Sequence, residues 1–391
     1  MEELKPVPPA PKKKPSLLVR LLAFLLTLAL LLGAVAAVVY RDRLNFDGIR
    51  RWFLYRSLEK SDSGQAESFR YESSGRGGFS SVGSDLLVWS TAGARLYSAG
   101  GVEYFSDALS LNAPVADAWG DAALVYDAGG NTLRVYQDRA LFFSLDTEQG
   151  HEILSARMGP GEMWTVVTRE TGYKGVATVY DGSTPITAVQ RSSRFLMDSI
   201  LSDSGETVAV LSIGQTENTF ESTLDLYSVS EGDEPFASFS LGNNAVLDLR
   251  RSGGSFWALG ESALNIVAQD GASSASYSYG GQYLKDFDLG GDGFASLLLG
   301  KYRAGSSASL VTVDASGEVL GTLDLEEQVL DLAAAGRYVG VLTASGLTLY
   351  TRDLEVYQTL ENTVGVQNVV LREDGTAFLV GNDTARLYIP D

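Results

Sequence analysis

From about residue 67 onward the chain alternates apolar and polar positions in short runs, the period of strands with one buried face. One apolar pair returns eight times: Leu96-Tyr97, Val135-Tyr136, Val179-Tyr180, Leu226-Tyr227, Ile266-Val267, Thr312-Val313, Leu349-Tyr350 and Leu387-Tyr388. Its surroundings read "TLRVYQD", "TLDLYSV", "SLVTVDA", "LTLYTRD" and "ARLYIPD". The spacing is about 40 residues, which predicts one blade of a β-propeller per repeat.

Two further runs recur in each repeat. An opening run carries a small or acidic residue among apolar ones, at Asp117, Asp198, Asp248, Asp286 and Asp331, and more weakly at Ser155, Asn368 and Ser81. These are the expected inner strands, lining a central channel where crowding favours short side chains. The next run is apolar almost throughout, as in "DLLVWS", "AALVYD", "FWALG" and "FASLLLG". It is expected to be buried between neighbouring blades. Gly and Asp in "DAGGN", "SDSGE" and "REDGT" supply the turns.

Seven of the signature strands have an outer strand after them, and the eighth meets the end of the chain. An unpaired edge would result. Residues 67–73, "ESFRYES", precede the first repeat and are expected to pair with Leu387 to Ile389, closing the ring. The fold class is all-β: an eight-bladed propeller of four-stranded antiparallel blades, with seven blades as the alternative.

The N-terminus reads differently. Residues 1–20 form a Pro/Lys-rich tail. Residues 21–39 follow without a charge, and at 1.5 Å per residue they span about 30 Å, the hydrocarbon thickness of a bilayer. A single transmembrane helix over residues 21–40 is expected; a cleaved signal peptide ending near the "AVA" of residues 34–36 is the alternative. Residues 41–60 hold Asp47 as a helix start and Ile49, Trp52, Phe53 and Arg56 at helical spacing. They predict a short helix lying on the membrane, with Trp52 and Phe53 in the interface and Arg50, Arg51 and Arg56 near head groups. Residues 61–66 read as a hinge before the propeller of residues 67–391. Basic residues flank the span on both sides, so charge does not orient it. A short tail ahead of a long domain places the tail in the cytoplasm and the propeller outside.

Charge sharpens this division. The chain has 30 Lys/Arg and 49 Asp/Glu, yet 11 of the former and only 5 of the latter fall in residues 1–60. A propeller so acidic repels nucleic acid, so no nucleic-acid partner is expected. Cysteine is absent, which excludes disulfides, thiol nucleophiles and a lipid-bearing cysteine. His151 is the only histidine, in the polar stretch "DTEQGHE", so a Ser-His-Asp triad has a single candidate base. Asp286, Asp288 and Asp292 in "DFDLGGDG" are spaced unlike a calcium loop, whose third ligand belongs at another position. Tyr277, Tyr279 and Tyr283 form a candidate aromatic cluster. No catalytic, cofactor-binding or metal-binding residue is assigned, and no cofactor is expected.

The hairpin "SLVTVDASGEVLGTLDL" resembles the repeat of quinoprotein-type propellers and, more broadly, WD40-like repeats. The layout of tail, span, short helix and acidic propeller resembles an uncharacterised family of bacterial membrane-anchored propellers, a domain of unknown function. The repeats lack the late tryptophan of quinoproteins, with Gly321 near its place, so a quinone cofactor is not implied. The uncharacterised family brings no known activity, but a rigid ring with variable loops and no catalytic constellation is expected to be a non-catalytic, extracytoplasmic module of the cell envelope that scaffolds a partner protein there. The alternative is a hydrolase or lyase acting on cell-surface polysaccharide, with carboxylates from several blades meeting at the channel mouth.

Overall fold

In a computed structural model of the chain, residues 21–28, 31, 33, 47–56, 58–216, 218–232 and 234–390 are described. They contain eight four-stranded antiparallel sheets. Blades 1 to 7 follow the chain in order, each built from four consecutive strands. The inner strands of blades 1 to 7 are Gly77–Val82, Pro114–Trp119, Ile153–Met158, Phe195–Leu201, Val246–Ser252, Tyr283–Asp288 and Asp331–Ala335.

Blade 8 is assembled from the first and the last strands of the propeller. Its inner three strands are Asn368–Leu371, Ala377–Val380 and Thr384–Tyr388, and its outer strand is Phe69–Arg70. Phe69 pairs with Ala385 and Arg70 with Thr384. The expected register is thus shifted: the stretch opposite Leu387 and Ile389 is Gly64 to Ala66, through the bonds Ala66 N to Leu387 O and Ile389 N to Gly64 O, both 2.8 Å. Tyr71 adds a clasp, its hydroxyl donating to Gly381 O at 2.6 Å. The ring has eight blades and not seven.

Burial follows radial position. Every residue of the second strands Ala122–Asp127, Ser255–Gly260, Phe294–Gly300, Tyr338–Leu342 and Ala377–Val380 is buried, because blades cover both faces. Outer strands such as Ser274–Ser278 alternate between exposed and half-buried positions. The signature residues Tyr97, Tyr136, Tyr227 and Tyr388 are buried in the packing between blades. Tyr136 also donates to Asp107 of blade 1 at 2.8 Å.

The inner strands define two rims. At one, here the leading rim, each inner strand begins. At the other, the turn rim, each turns back into the second strand, and neighbouring turns touch. Gly83 N donates to Gly120 O at 2.7 Å, and a Cβ on Gly253, whose φ is +57°, would lie 2.7 Å from Gly293 Cα. At the turn rim of blade 8, Arg372 donates to the hydroxyl of Tyr55 and to Gly83 O. Tyr55 is the first residue of the propeller unit Tyr55–Asp391.

The unit Met1–Leu54 is sparsely described. Residues 21–28 are helical, and Leu21, Leu22, Phe24, Leu25 and Leu26 are each more than half exposed. Much of the expected span over residues 21–40 lies outside the described residues, as does the tail of residues 1–20. Among the described residues no helix is long and apolar enough to cross a membrane. The second helix, Asp47–Tyr55, carries Asp47 in its first turn, where a carboxylate meets free N–H groups. Trp52 and Phe53 are both 61% exposed, with rings edge to face. Arg50 and Arg56 are exposed, whereas Arg51, expected near head groups, is buried.

Candidate functional site in the propeller channel

Strand register sorts the channel residues into two layers. In the first layer Ser155, Asp198, Asp248, Asp286, Asp331 and Asn368 of blades 3 to 8 face equivalent residues of their second strands: Val167, Leu211, Leu259, Leu298, Leu342 and Val380. Two residues further on, towards the turn rim, the second layer holds Arg157, Arg250 and Asp288. Asp117 belongs to this deeper layer. It pairs with Leu124, two residues before the turn pair Trp119 and Ala122, as Arg250 stands two before Ser252 and Ser255. Ser81 is out of phase: Ser80 occupies the level of Asp117, and Ser81 points to the opposite face.

Across blades 2 to 5 the layers are joined by ion pairs. Arg157 donates to Asp198 at 2.6 Å and to Asp248 at 2.8 Å, and lies 3.8 Å from Asp117. Arg250 bonds Asp117 and, at 3.1 Å, Asp248. Asp117 also accepts from Met158 N of blade 3 at 2.8 Å. Burial opposes the charge of Asp248, but Arg250 and Arg157 outweigh it and hold the carboxyl below its ordinary range. Burial opposes the charge of Arg157 as well, and Asp198, Asp248 and Asp117 keep it firmly protonated. Arg251 caps the network at the turn rim. It donates to Met158 O and Leu201 O at 3.0 and 3.2 Å and stacks 3.8 Å from the Trp119 ring. Burial lowers it to about 10.

Blades 6 and 7 present acids without arginines at these levels. Asp331 accepts from Val369 N at 2.6 Å, Asp286 from Phe287 N at 2.9 Å, and Asp288 from Gly290 N at 2.6 Å. Burial, with the charges of Asp286 and Asp288 adding to it, pushes Asp331 up to about 7. Burial raises Asp288 to about 6 and lifts Asp286 as well.

The leading-rim mouth of the channel has its own pattern. In blades 3 to 6 the pairing skips one residue just ahead of the first layer: Leu154, Met197, Leu247 and Lys285. Each skip is a β-bulge, which breaks the alternation that sends neighbours to opposite faces. Blades 7 and 8 bend similarly, with Leu330 N and Gln367 N donating to the residues that pair with Asp331 and Asn368. Met197, Leu247 and Leu330 are 49%, 53% and 48% exposed.

The other candidates separate. His151 pairs with Glu170 at 2.9 Å, away from the channel acids. Asp292 is exposed while Asp286 and Asp288 face inward, and among the described residues no group of three His, Asp or Glu is disposed to hold a metal ion. Tyr277 and Tyr279 meet, with ring centroids 6.3 Å apart and Tyr279 buried and donating to Gly260 O at 3.0 Å, whereas Tyr283 lies at the leading rim and is not part of the pair. A groove of about 720 Å³ between blades 3 and 4 is lined by Ile186, Val229 and Phe236 with one ionisable group, Glu206. Sequence reading placed the acids but missed Arg157, Arg250 and Arg251; the doubled arginine that follows "VLDL" was the available signal.

This architecture is similar to solved propellers at low sequence identity. The C-terminal WD40 domain of Sif2 superposes with a TM-score of 0.54 at 13% identity, covering 79% of this chain and 93% of that one. The Cps50 (Swd1) β-propeller domain of Myceliophteria thermophila gives 0.44 at 12% identity, covering 83% and 98%. The Neurospora crassa Pan2 WD40 domain gives 0.45 at 12%, covering 71% and 89%. The first of these likenesses supports a WD40-like fold. No curated protein matches the chain in sequence. Residues 58–383, nearly the whole propeller, match a family of unknown function, DUF5711, and the chain belongs to that family.

Proposed function

We propose that the protein is a membrane-anchored, non-catalytic interaction module of the bacterial cell envelope, with its N-terminal tail in the cytoplasm and its propeller outside. The observation that carries the anchor is the helix of residues 21–28. It exposes Leu21, Leu22, Phe24, Leu25 and Leu26 together, and its one hydroxyl, on Thr27, donates back to Ala23 O at 2.8 Å. Such a surface suits lipid, where backbone and side-chain polar groups find partners within the helix. The charge-free sequence of residues 21–39 that begins with it has the length of a full span. Trp52 and Phe53, exposed side by side on the next helix, suit the interface.

The interaction reading rests on the channel. Three of its six acids are committed to Arg157 and Arg250, which favours a rigid scaffold over a set of groups free for catalysis. Protease added to intact spheroplasts is expected to digest the propeller and spare the N-terminal tail. A protected propeller would overturn the orientation, and a mature N-terminus near Ala37 would overturn the anchor.

A further inference from the structure

The mouth of the channel combines two features that do not serve the ring itself. Bulged positions in blades 4 and 5 expose Met197 and Leu247, and Leu330 is exposed at the matching place in blade 7, while the bulged Lys285 of blade 6 between them turns its ammonium to Arg303 O and Gly305 O at 2.9 and 3.1 Å. A bulge that turns an aliphatic side chain towards solvent buries nothing within the fold. Just below lie Asp286 and Asp331, at the level where Asp198 and Asp248 are neutralised by Arg157 but with no arginine of their own. At the same level Ser155 is only 6% exposed, and its hydroxyl has no hydrogen-bond partner.

Charge complementarity selects the occupant. The first layer of blades 6 and 7 has no positive charge of its own, and the three exposed aliphatic residues above it lack an apolar cover. We propose that the leading-rim mouth docks an extended segment of a partner protein, seating aliphatic side chains on Met197, Leu247 and Leu330 and lowering a Lys or Arg side chain between Asp286 and Asp331. A basic head reached through an apolar stem matches the order of the two layers. A bare metal ion fits less well, since it leaves Met197, Leu247 and Leu330 uncovered. This inference rests on the interaction reading and names its surface.

The test uses the full chain in detergent, with two fluorescein-labelled peptides, Gly-Leu-Arg-Leu-Gly and Gly-Leu-Gln-Leu-Gly, followed by anisotropy. The arginine peptide is expected to bind about tenfold more tightly, a difference of about 1.4 kcal/mol. The double variant Asp286→Asn/Asp331→Asn should erase that preference, and Leu247→Asp/Leu330→Asp should weaken both peptides, with far-UV circular dichroism unchanged. Equal affinity for the two peptides, absence of binding by the arginine peptide, or indifference to Leu247→Asp/Leu330→Asp overturns the proposal. Cross-linked capture from native membranes separates it from the broader reading. A partner held equally by wild type and by Leu247→Asp/Leu330→Asp discards the mouth and keeps the module. A chain that captures nothing in any form discards the module itself.

Discussion

Blades 2 to 5 and blades 6 to 7 put aspartates into one channel, and neighbours alone make those aspartates behave differently. On the first side Asp248 stands between Arg157 and Arg250, and its carboxyl is held low. On the second, Asp331 stands near Asp286 and Asp288 and is pushed up to about 7. Both are half-buried members of the same layer, in runs that read "VLDLR" and "VLDLA". Burial raises the carboxyl in each case. A cation within reach decides whether that penalty is overcome.

Removing the cation should give the largest effect. Arg157→Met leaves Asp198 buried without its arginine and Asp248 with Arg250 alone, and is expected to cost about 3–5 kcal/mol, read as a lower denaturation midpoint. A loss under about 1 kcal/mol would mean that the two sides do not differ as described.

The next effect contrasts two equivalent acids. Asp198→Asn keeps the shape but weakens the charge-assisted bonds from Arg157, for an expected loss of about 1–3 kcal/mol. Asp331→Asn should lose little, since the amide oxygen still accepts from Val369 N, and at pH 8 it should melt higher than wild type. Equal losses from both would break the comparison.

The pH dependence sharpens it further. A carboxyl raised in the folded state binds its proton more tightly folded than unfolded, so stability falls as pH rises from the ordinary Asp value near 4 towards about 7, then levels off. Asp331 and Asp288 contribute in this sense. Asp248 works in the opposite sense, losing its contribution as pH falls below about 4. Thermal melts of wild type from pH 5 to pH 8 should therefore show a decline that Asp331→Asn reduces. The smallest effect is expected from Ser155→Ala, within about 0.5 kcal/mol of wild type, because the hydroxyl it removes has no hydrogen-bond partner.

The eight blades were legible because their signal is local and repeated. Leu226-Tyr227 and Leu349-Tyr350 mark third strands, and runs such as "FASLLLG" can be buried on both faces only between blades. Asp198, Asp248, Asp286 and Asp331 were also legible as channel residues, from their place in an opening run. The ion pairs were not, because Arg250 reaches Asp117 from 133 residues away and no local pattern records which blades face each other across a ring. Nor was the depth of Asp117, which depends on inner strands in blades 1 and 2 lacking the bulge found in blades 3 to 6. The bulges add one residue without changing composition, and the exposure of Met197, Leu247 and Leu330 went unseen with them.

Blade 8 also fixes a timetable for biosynthesis. The outer strand Phe69–Arg70 emerges from the ribosome among the first parts of the propeller, while its partner Thr384–Tyr388 is among the last. At about 5–20 residues per second, the first waits roughly 15–65 s for the second. Until that last strand is made, the growing row of blades has an uncovered apolar face at each end and Phe69–Arg70 has no strand to pair with. Chaperone demand should therefore peak as Thr384–Tyr388 emerges, and a stop codon that removes this strand should be as damaging as the loss of an entire blade.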